Sequence, residues 1–438
     1  MASSFSYRRV AFFIGPIAAV FLTLAGMFAF HMYSNTFAAS SLTLYVGHTP
    51  GSNTSCTSPG YTSVQAAVDA AHDGDTVYLC GTVPYSEQVI ITKSITLTGD
   101  SGATIQAPNP FPDNASRLPP QFTSDNLFIP QAIVVVWGKG SNANIVNLII
   151  NGPLPGNNSC ADDQYGVLVI AGGNAKLNSD HVTNIRDINP LLYGCQFGVA
   201  IQVGRKYWPS ADFSNFLIEN FVGHATITKT TVTGYQKNGI TIDGPGSTSN
   251  ITKSTVQGAG RNTALGNIIA QNGIQISRGA VGSVEGNFVS DNSYTGTASN
   301  ASSGGILIFG GCGDPLSKGV EVEGNVLSNN DVGIYLNNYS ASCTAPASQK
   351  TNDIAQGNTI SNDAVTNMSA FTDANGNNYT GYQAGIDDIG NNDLISHNTI
   401  TGIGYTPAQT TPGGPFVIPI DTISFPTTHP RIRANRVI

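Results

Sequence analysis

A tetrad of glycine, an apolar residue, any residue and a second apolar residue recurs along this chain. It reads Gly166-Val-Leu-Val169, Gly198-Val-Ala-Ile201, Gly239-Ile-Thr-Ile242, Gly273-Ile-Gln-Ile276, Gly305-Ile-Leu-Ile308 and Gly333-Ile-Tyr-Leu336, with a degenerate copy at Gly385-Ile-Asp-Asp388. A second phrase runs between these, a polar residue two places before Val, Ile or Leu. It occurs at Asn147-Leu-Ile149, Asp180-His-Val182, Thr230-Thr-Val232, Ser254-Thr-Val256, Asn287-Phe-Val289, Asn325-Val-Leu327, Asn358-Thr-Ile360, Asn398-Thr-Ile400 and Asn435-Arg-Val437. Both phrases alternate apolar and polar, the period of a half-buried strand. Successive tetrads start 28 to 52 residues apart, one coil plus loops of variable length at fixed corners. An antiparallel sandwich would not repeat its corner residues in this way. In a parallel coil each corner restacks every ~4.8 Å, so asparagines can form a hydrogen-bonded ladder, with glycine at corners of positive φ. The asparagines therefore read as structural residues rather than ligands. The expected fold is all-β, a single-domain right-handed parallel β-helix over residues 42–438.

Composition agrees with many short strands and tight turns: 49 glycines and only 11% charged residues. The net charge of −8 and the lack of a basic stripe exclude a nucleic-acid partner on sequence grounds. Residues 1–38 read as an export segment, with Arg8 and Arg9 before an uncharged run from Val10 to Phe30 and small residues at Ala38 and Ala39. A signal peptide cleaved near Ala38 is the first reading; the run is also long enough for an uncleaved membrane anchor. Either places the body outside the cell or on its surface. The six cysteines then read as disulfides. Because solenoid contacts are local, the expected pairs are Cys56–Cys80, Cys160–Cys195 and Cys312–Cys343. None of the spacings is CxxC, which argues against a zinc site.

The N-terminal part fits the same coil. Thr62-Ser-Val-Gln65 has a capping-box pattern that opens a short helix, Val64 to Ala71, able to close the first coil. Strands are expected at Asp75–Leu79, Gln88–Thr92, Ser94–Thr98 and Ala103–Gln106. The stretch Tyr61-Thr-Ser-Val-Gln-Ala-Ala-Val-Asp-Ala-Ala-His-Asp-Gly-Asp-Thr-Val-Tyr78, followed by Lys93-Ser-Ile-Thr-Leu-Thr-Gly-Asp100, resembles the opening of pectin-lyase-like right-handed β-helix proteins. The repeats from Gly166 onward resemble the short β-helix repeats of the same superfamily. The resemblance covers roughly residues 42–438 and implies the fold; lyases, hydrolases, esterases, epimerases and adhesins all share it. Gly81-Thr-Val-Pro-Tyr-Ser-Glu87 and Gly204-Arg-Lys-Tyr-Trp208 are similar to pectin methylesterase phrases, but the aspartate motifs between them have no counterpart, which argues against esterase activity. The paired-aspartate and Gly-His-Gly phrases of polygalacturonases are absent. Asp180-His181 is similar to an Asp-His pair of some pectate lyases, without their Arg-x-Pro-x-x-Arg phrase.

Strand alternation names the groups that can cooperate. The third and fifth residues of each tetrad strand should face outward in two columns. The first is Leu168, Ala200, Thr241, Gln275, Leu307, Tyr335 and Asp387; the second is Ile170, Gln202, Asp243, Ser277, Phe309, Asn337 and Ile389. Asp243 then lies near Arg205, Lys206 and Arg278. A carboxylate among cations can bind a uronate or take part in β-elimination, so Asp243, Arg205 and Arg278 are the catalytic candidates. Gln202, Tyr207, Trp208, Phe309 and Tyr335 are the substrate-binding candidates, the aromatics offering flat faces to sugar rings. Asp387 and Asp388 are candidates for a Ca2+ site, and Asp388 should point inward unless a bulge intervenes. Two insertions interrupt the coil, at 107–131 and 205–224; the second, rich in aromatics, would wall the groove. The sequence thus supports two functions: a polysaccharide lyase-like (or glycoside hydrolase) enzyme acting on a uronate-containing glycan, or a non-catalytic surface coil for glycan binding, adhesion or envelope structure.

Overall fold

The computed structural model describes residues 41–112, 131–156, 160, 164–205, 221–261, 263–296, 301–361, 371–372, 378–379, 382–401, 416–422 and 429–438. The export segment at 1–38 lies outside the described residues, as do 113–130 and 206–220 of the two insertions. Among the described residues no helix is long and apolar enough to cross a membrane.

Three parallel sheets of twelve, eleven and ten strands make up the coil. One turn shows the pattern. Gln164–Ile170 lies in the ten-stranded sheet, Gly173–Asn178 in the twelve-stranded sheet and His181–Thr183 in the eleven-stranded sheet, before Val199–Val203 re-enters the first. Within each sheet neighbours are successive coils, joined in parallel. This is a parallel β-helix. From Thr43 onward the chain forms one compact unit.

The tetrads form the ten-stranded sheet, and their β-branched residues fill the interior. Ile240, Ile274, Ile306, Ile334 and Ile386 stack in register and are fully buried. Removing each from water contributes about 1.5–3 kcal/mol. The tetrad glycines serve close approach rather than positive φ, contrary to the sequence expectation. A Cβ at Gly239, Gly273, Gly305 or Gly333 would sit 2.5–2.7 Å from the carbonyl oxygen of the next glycine in the stack. One tetrad is misplaced by the sequence reading. Gly198-Val-Ala-Ile201 is offset by two residues: Val199 pairs with Asn238 and Ile201 with Ile240, so Ala200 takes the glycine position. Gly198 instead occupies a corner at φ +81.

The second phrase forms the corner between the twelve- and eleven-stranded sheets. Here Asn287, Asn325, Asn358 and Asn398 each donate from Nδ2 to Oδ1 of the next, ending on Asn435, at 2.9–3.0 Å. Each Nδ2 also donates to a carbonyl one coil back, Ile251 O for Asn287 and Val284 O for Asn325. Earlier coils use other acceptors at this corner. Ser254 Oγ receives Thr230 N–H, and Asp180 Oδ1 receives Leu148 N–H. Asn147 is therefore not the first rung: Leu148 holds that position, and Asn147 is an exposed turn residue at φ +59.

Helix α1 (Val64–Ala70) buries Val64, Ala67 and Val68 against the first coil. Its N-cap is Ser63, which accepts Ala66 N–H. The expected reciprocal partner Gln65 reaches Asp69 and Ile90 O instead. Glu87 takes over, receiving the Val64 and Gln65 N–H groups and the Ser63 hydroxyl. Disulfides join Cys56 to Cys80, Cys160 to Cys195 and Cys312 to Cys343, each closing a span of 24 to 35 residues.

Candidate functional site

The outer face of the ten-stranded sheet carries the polar side chains. Because of the offset at Gly198, Gln202 belongs to the first column, between Leu168 and Thr241, and not beside Asp243. The position level with Asp243 on that strand falls at Gly204, which has no side chain. A cavity of about 330 Å³ lies over Gln202, Asn238, Thr241 and Gln275. Lys237 lines it at the start of strand Asn238–Asp243, while Arg205, Asp243 and Arg278 line it at the strand's end. Six residues of extended chain separate Lys237 from Asp243, roughly 20 Å.

A relay of hydrogen bonds fixes its floor. Asn238 Nδ2 donates to Thr241 Oγ1 at 3.0 Å and to Gln275 Oε1 at 2.9 Å. Gln275 Nε2 donates to Ser277 Oγ at 2.9 Å, and Ser277 Oγ to Asp243 Oδ1 at 2.8 Å. Arg278 Nη1 then donates to both Asp243 oxygens at 3.0 and 3.1 Å, and its Nε to Asp314 Oδ2 at 3.3 Å. The Arg278 guanidinium also lies over the Phe309 ring, 5.9 Å from its centroid. Arg278 itself sits at φ +55, where the preceding coil uses Gly244 at φ +86. A non-glycine residue costs about 1–2 kcal/mol there, as at Ala171, Lys229 and Lys253, other corners of the coil at positive φ.

At the opposite end, Lys237 donates from Nζ to Ala270 O at 2.6 Å. Burial pushes its ammonium down to about 8, so about a tenth of it is neutral at pH 7. Sequence reasoning missed this residue. Its signal was the polar residue two places before each tetrad glycine, seen also at Gln164, Gln271, Ser303 and Asp331, all fully buried. Against that pattern a lysine stands out.

Of the expected site residues, Gln202, Arg205, Asp243 and Arg278 meet in this groove. Phe309 joins it through Arg278. Tyr335 does not line it: its ring packs with Val332, Ala384 and Leu307 on the outer face, 9% exposed. Tyr207 and Trp208 lie outside the described residues.

Asp387 and Asp388 occupy opposite faces of their strand. Asp387 is in register with Tyr335 and Asp421 in the first column, while Asp388 is level with Leu336, an interior position. No bulge reverses it. Asp388 turns into a corner with Asp353 and Asp393, where Gly390 N–H donates to Asp388 Oδ1. Asp353 N–H and the Thr351 hydroxyl donate to Asp393 Oδ1 at 2.8 and 2.6 Å. Burial first, then mutual repulsion, raises Asp353 to about 8 and Asp393 to about 9; Asp388 is raised too, by burial. Asp353 and Asp393 therefore stay largely protonated at neutral pH, which suits hydrogen bonding within the corner. Among the described residues no group of three or more His, Cys, Asp or Glu is placed to hold a metal ion.

No protein-family description and no curated protein matches the sequence. Several solved structures resemble it. An alginate lyase from Paenibacillus sp. is 12% identical, over 90% of this chain and 99% of that one, with a TM-score of 0.38. Pectate lyase Pel9A is 12% identical, over 90% of this chain and 80% of that one, at 0.37. A tailspike of E. coli bacteriophage HK620, in complex with a pentasaccharide, is 11% identical over 92% of this chain and 68% of that one, at 0.42. The architecture is that of a parallel β-helix. In this β-helix the groove at Asp243 is lined by side chains of four successive coils.

Proposed function

We propose that this protein acts on carbohydrate outside the cell, binding a uronate-containing glycan along the groove from Lys237 to Arg278. The observation that carries the reading is a fixed, amide-rich floor with cations at both ends. Amides and hydroxyls match sugar hydroxyls, and guanidinium and ammonium groups match carboxylates. Three disulfides fit an oxidising, extracellular setting.

A lyase reaction follows from Lys237 rather than from Asp243. Asp243 already accepts from Ser277 and Arg278, which makes it a holder of Arg278 and a poor base. The neutral Lys237 amine can take the proton next to a uronate carboxylate. The adjacent carbon–oxygen bond then breaks to leave a carbon–carbon double bond, and the departing oxygen takes up a proton from solvent. Its rate should rise as pH passes about 8, the value to which burial pushes this amine. The engaged state of Asp243 also favours a second reading, glycan binding without turnover. Incubation with a panel of uronate and neutral polysaccharides, with and without calcium, separates the two. Unsaturated products that vanish in Lys237→Met support the lyase. Binding without turnover leaves the non-catalytic reading, and no binding to any glycan overturns both.

A further inference from the structure

A larger cavity, about 640 Å³, lies around the corner from the groove. Its walls include Asp314, Pro315, Lys318, Tyr339 and Gln349, on the two segments joined by Cys312–Cys343. Its composition is mixed: an aromatic ring and a proline offer flat apolar faces, while carboxylate, ammonium and amide groups offer hydrogen bonds. That combination suits a sugar ring, with its apolar face and polar rim.

The two cavities are physically connected. Arg278 lines the first and binds Asp314 of the second while holding Asp243. Its guanidinium covers Phe309, and the Phe309 and Tyr339 rings are 6.2 Å apart at 57°. Asp243, Arg278, Phe309 and Tyr339 thus form one line of contacts from groove to cavity. Burial pushes the Tyr339 hydroxyl up to about 12, so it stays neutral and able to donate.

We infer that one glycan chain occupies both cavities, crossing Arg278 and Phe309, with the cavity at Tyr339 taking the sugar units beyond the groove. This inference rests on the glycan-binding reading above. Its signature is dependence on chain length. Calorimetric titration of the full secreted protein with a ladder of uronate oligosaccharides, two to eight units long, should show affinity rising in a second step once the chain can reach Tyr339. Tyr339→Ala should remove that step, about tenfold in affinity, and leave the shortest oligosaccharides unchanged. Ala341→Trp, which fills the cavity from an exposed wall position, should do the same without touching the Phe309 contact. A single-step profile, or long-chain affinity unaffected by both variants, overturns the inference and leaves the groove intact. Absence of binding at every length overturns the glycan reading itself, and this inference with it.

Discussion

Arg278 combines a backbone at positive φ, a contact to both Asp243 oxygens and the link to the second cavity. Replacing it with glycine, the residue the preceding coil uses at this corner, relieves about 1–2 kcal/mol of backbone strain and forfeits the ion pair. The two effects offset. Arg278→Gly should therefore melt within about 1 kcal/mol of wild type, while glycan affinity falls at least about tenfold. Thermal melts paired with titrations would check this; a large loss of stability would mean the arginine is structural. At this scale the sequence was half legible. Asp243 emerged from strand alternation, because its tetrad is in register, and Arg278 from its place just past the same corner one coil on. Gln202 was put in the wrong column because Gly198 mimics a tetrad glycine two residues early, and nothing local in Gly-Val-Ala-Ile betrays the offset. Lys237 was missed for another reason: its altered amine depends on burial by coils remote in sequence.

Among the elements, the asparagine corner was the most legible, since a repeated residue at a repeated place needs only periodicity to be seen. Its limit was equally physical. Where serine or aspartate supplies the acceptor, the ladder continues without asparagine, and its first rung lies one residue later than the sequence suggests, at Leu148 rather than Asn147. Removing one rung has a predictable cost. Asn325→Ala strips the acceptor from both Asn287 N–H and Asn287 Nδ2, and leaves Asn358 Oδ1 with the backbone N–H of residue 325 but without its Nδ2 donor. Buried groups left unsatisfied cost about 1–3 kcal/mol each. Denaturant unfolding should show a loss of at least about 2 kcal/mol, whereas Asn147→Ala, at the exposed turn, should lose far less.

On the scale of the whole molecule, pH acts through the corner of Asp353, Asp388 and Asp393. All three folded carboxyls are raised above the ordinary value of 3.8, two of them to about 8 and about 9. Between pH 4 and 8 the unfolded chain has released protons that the folded coil keeps. Stability is then fully present below the unfolded value and falls as pH rises, by about 1.4 kcal/mol per pH unit for each proton retained. The melting temperature should drop steadily from pH 5 to pH 8, and Asp393→Asn should flatten that slope. A flat or rising wild-type profile would contradict the assignment. No sequence pattern announced this corner, because its members come from three different phrases and meet only when the coil closes.

The disulfides carry a mechanical consequence. Each closes no more than 35 residues, so each clips only stretches close together in the coil. Tension along the axis of such a solenoid passes through its coils in series, and the coils beyond Cys343 have no clip of their own among the described residues. Pulled from its ends, the molecule should lengthen first from the Ile354–Val437 side, one coil at a time, while the clipped coils hold.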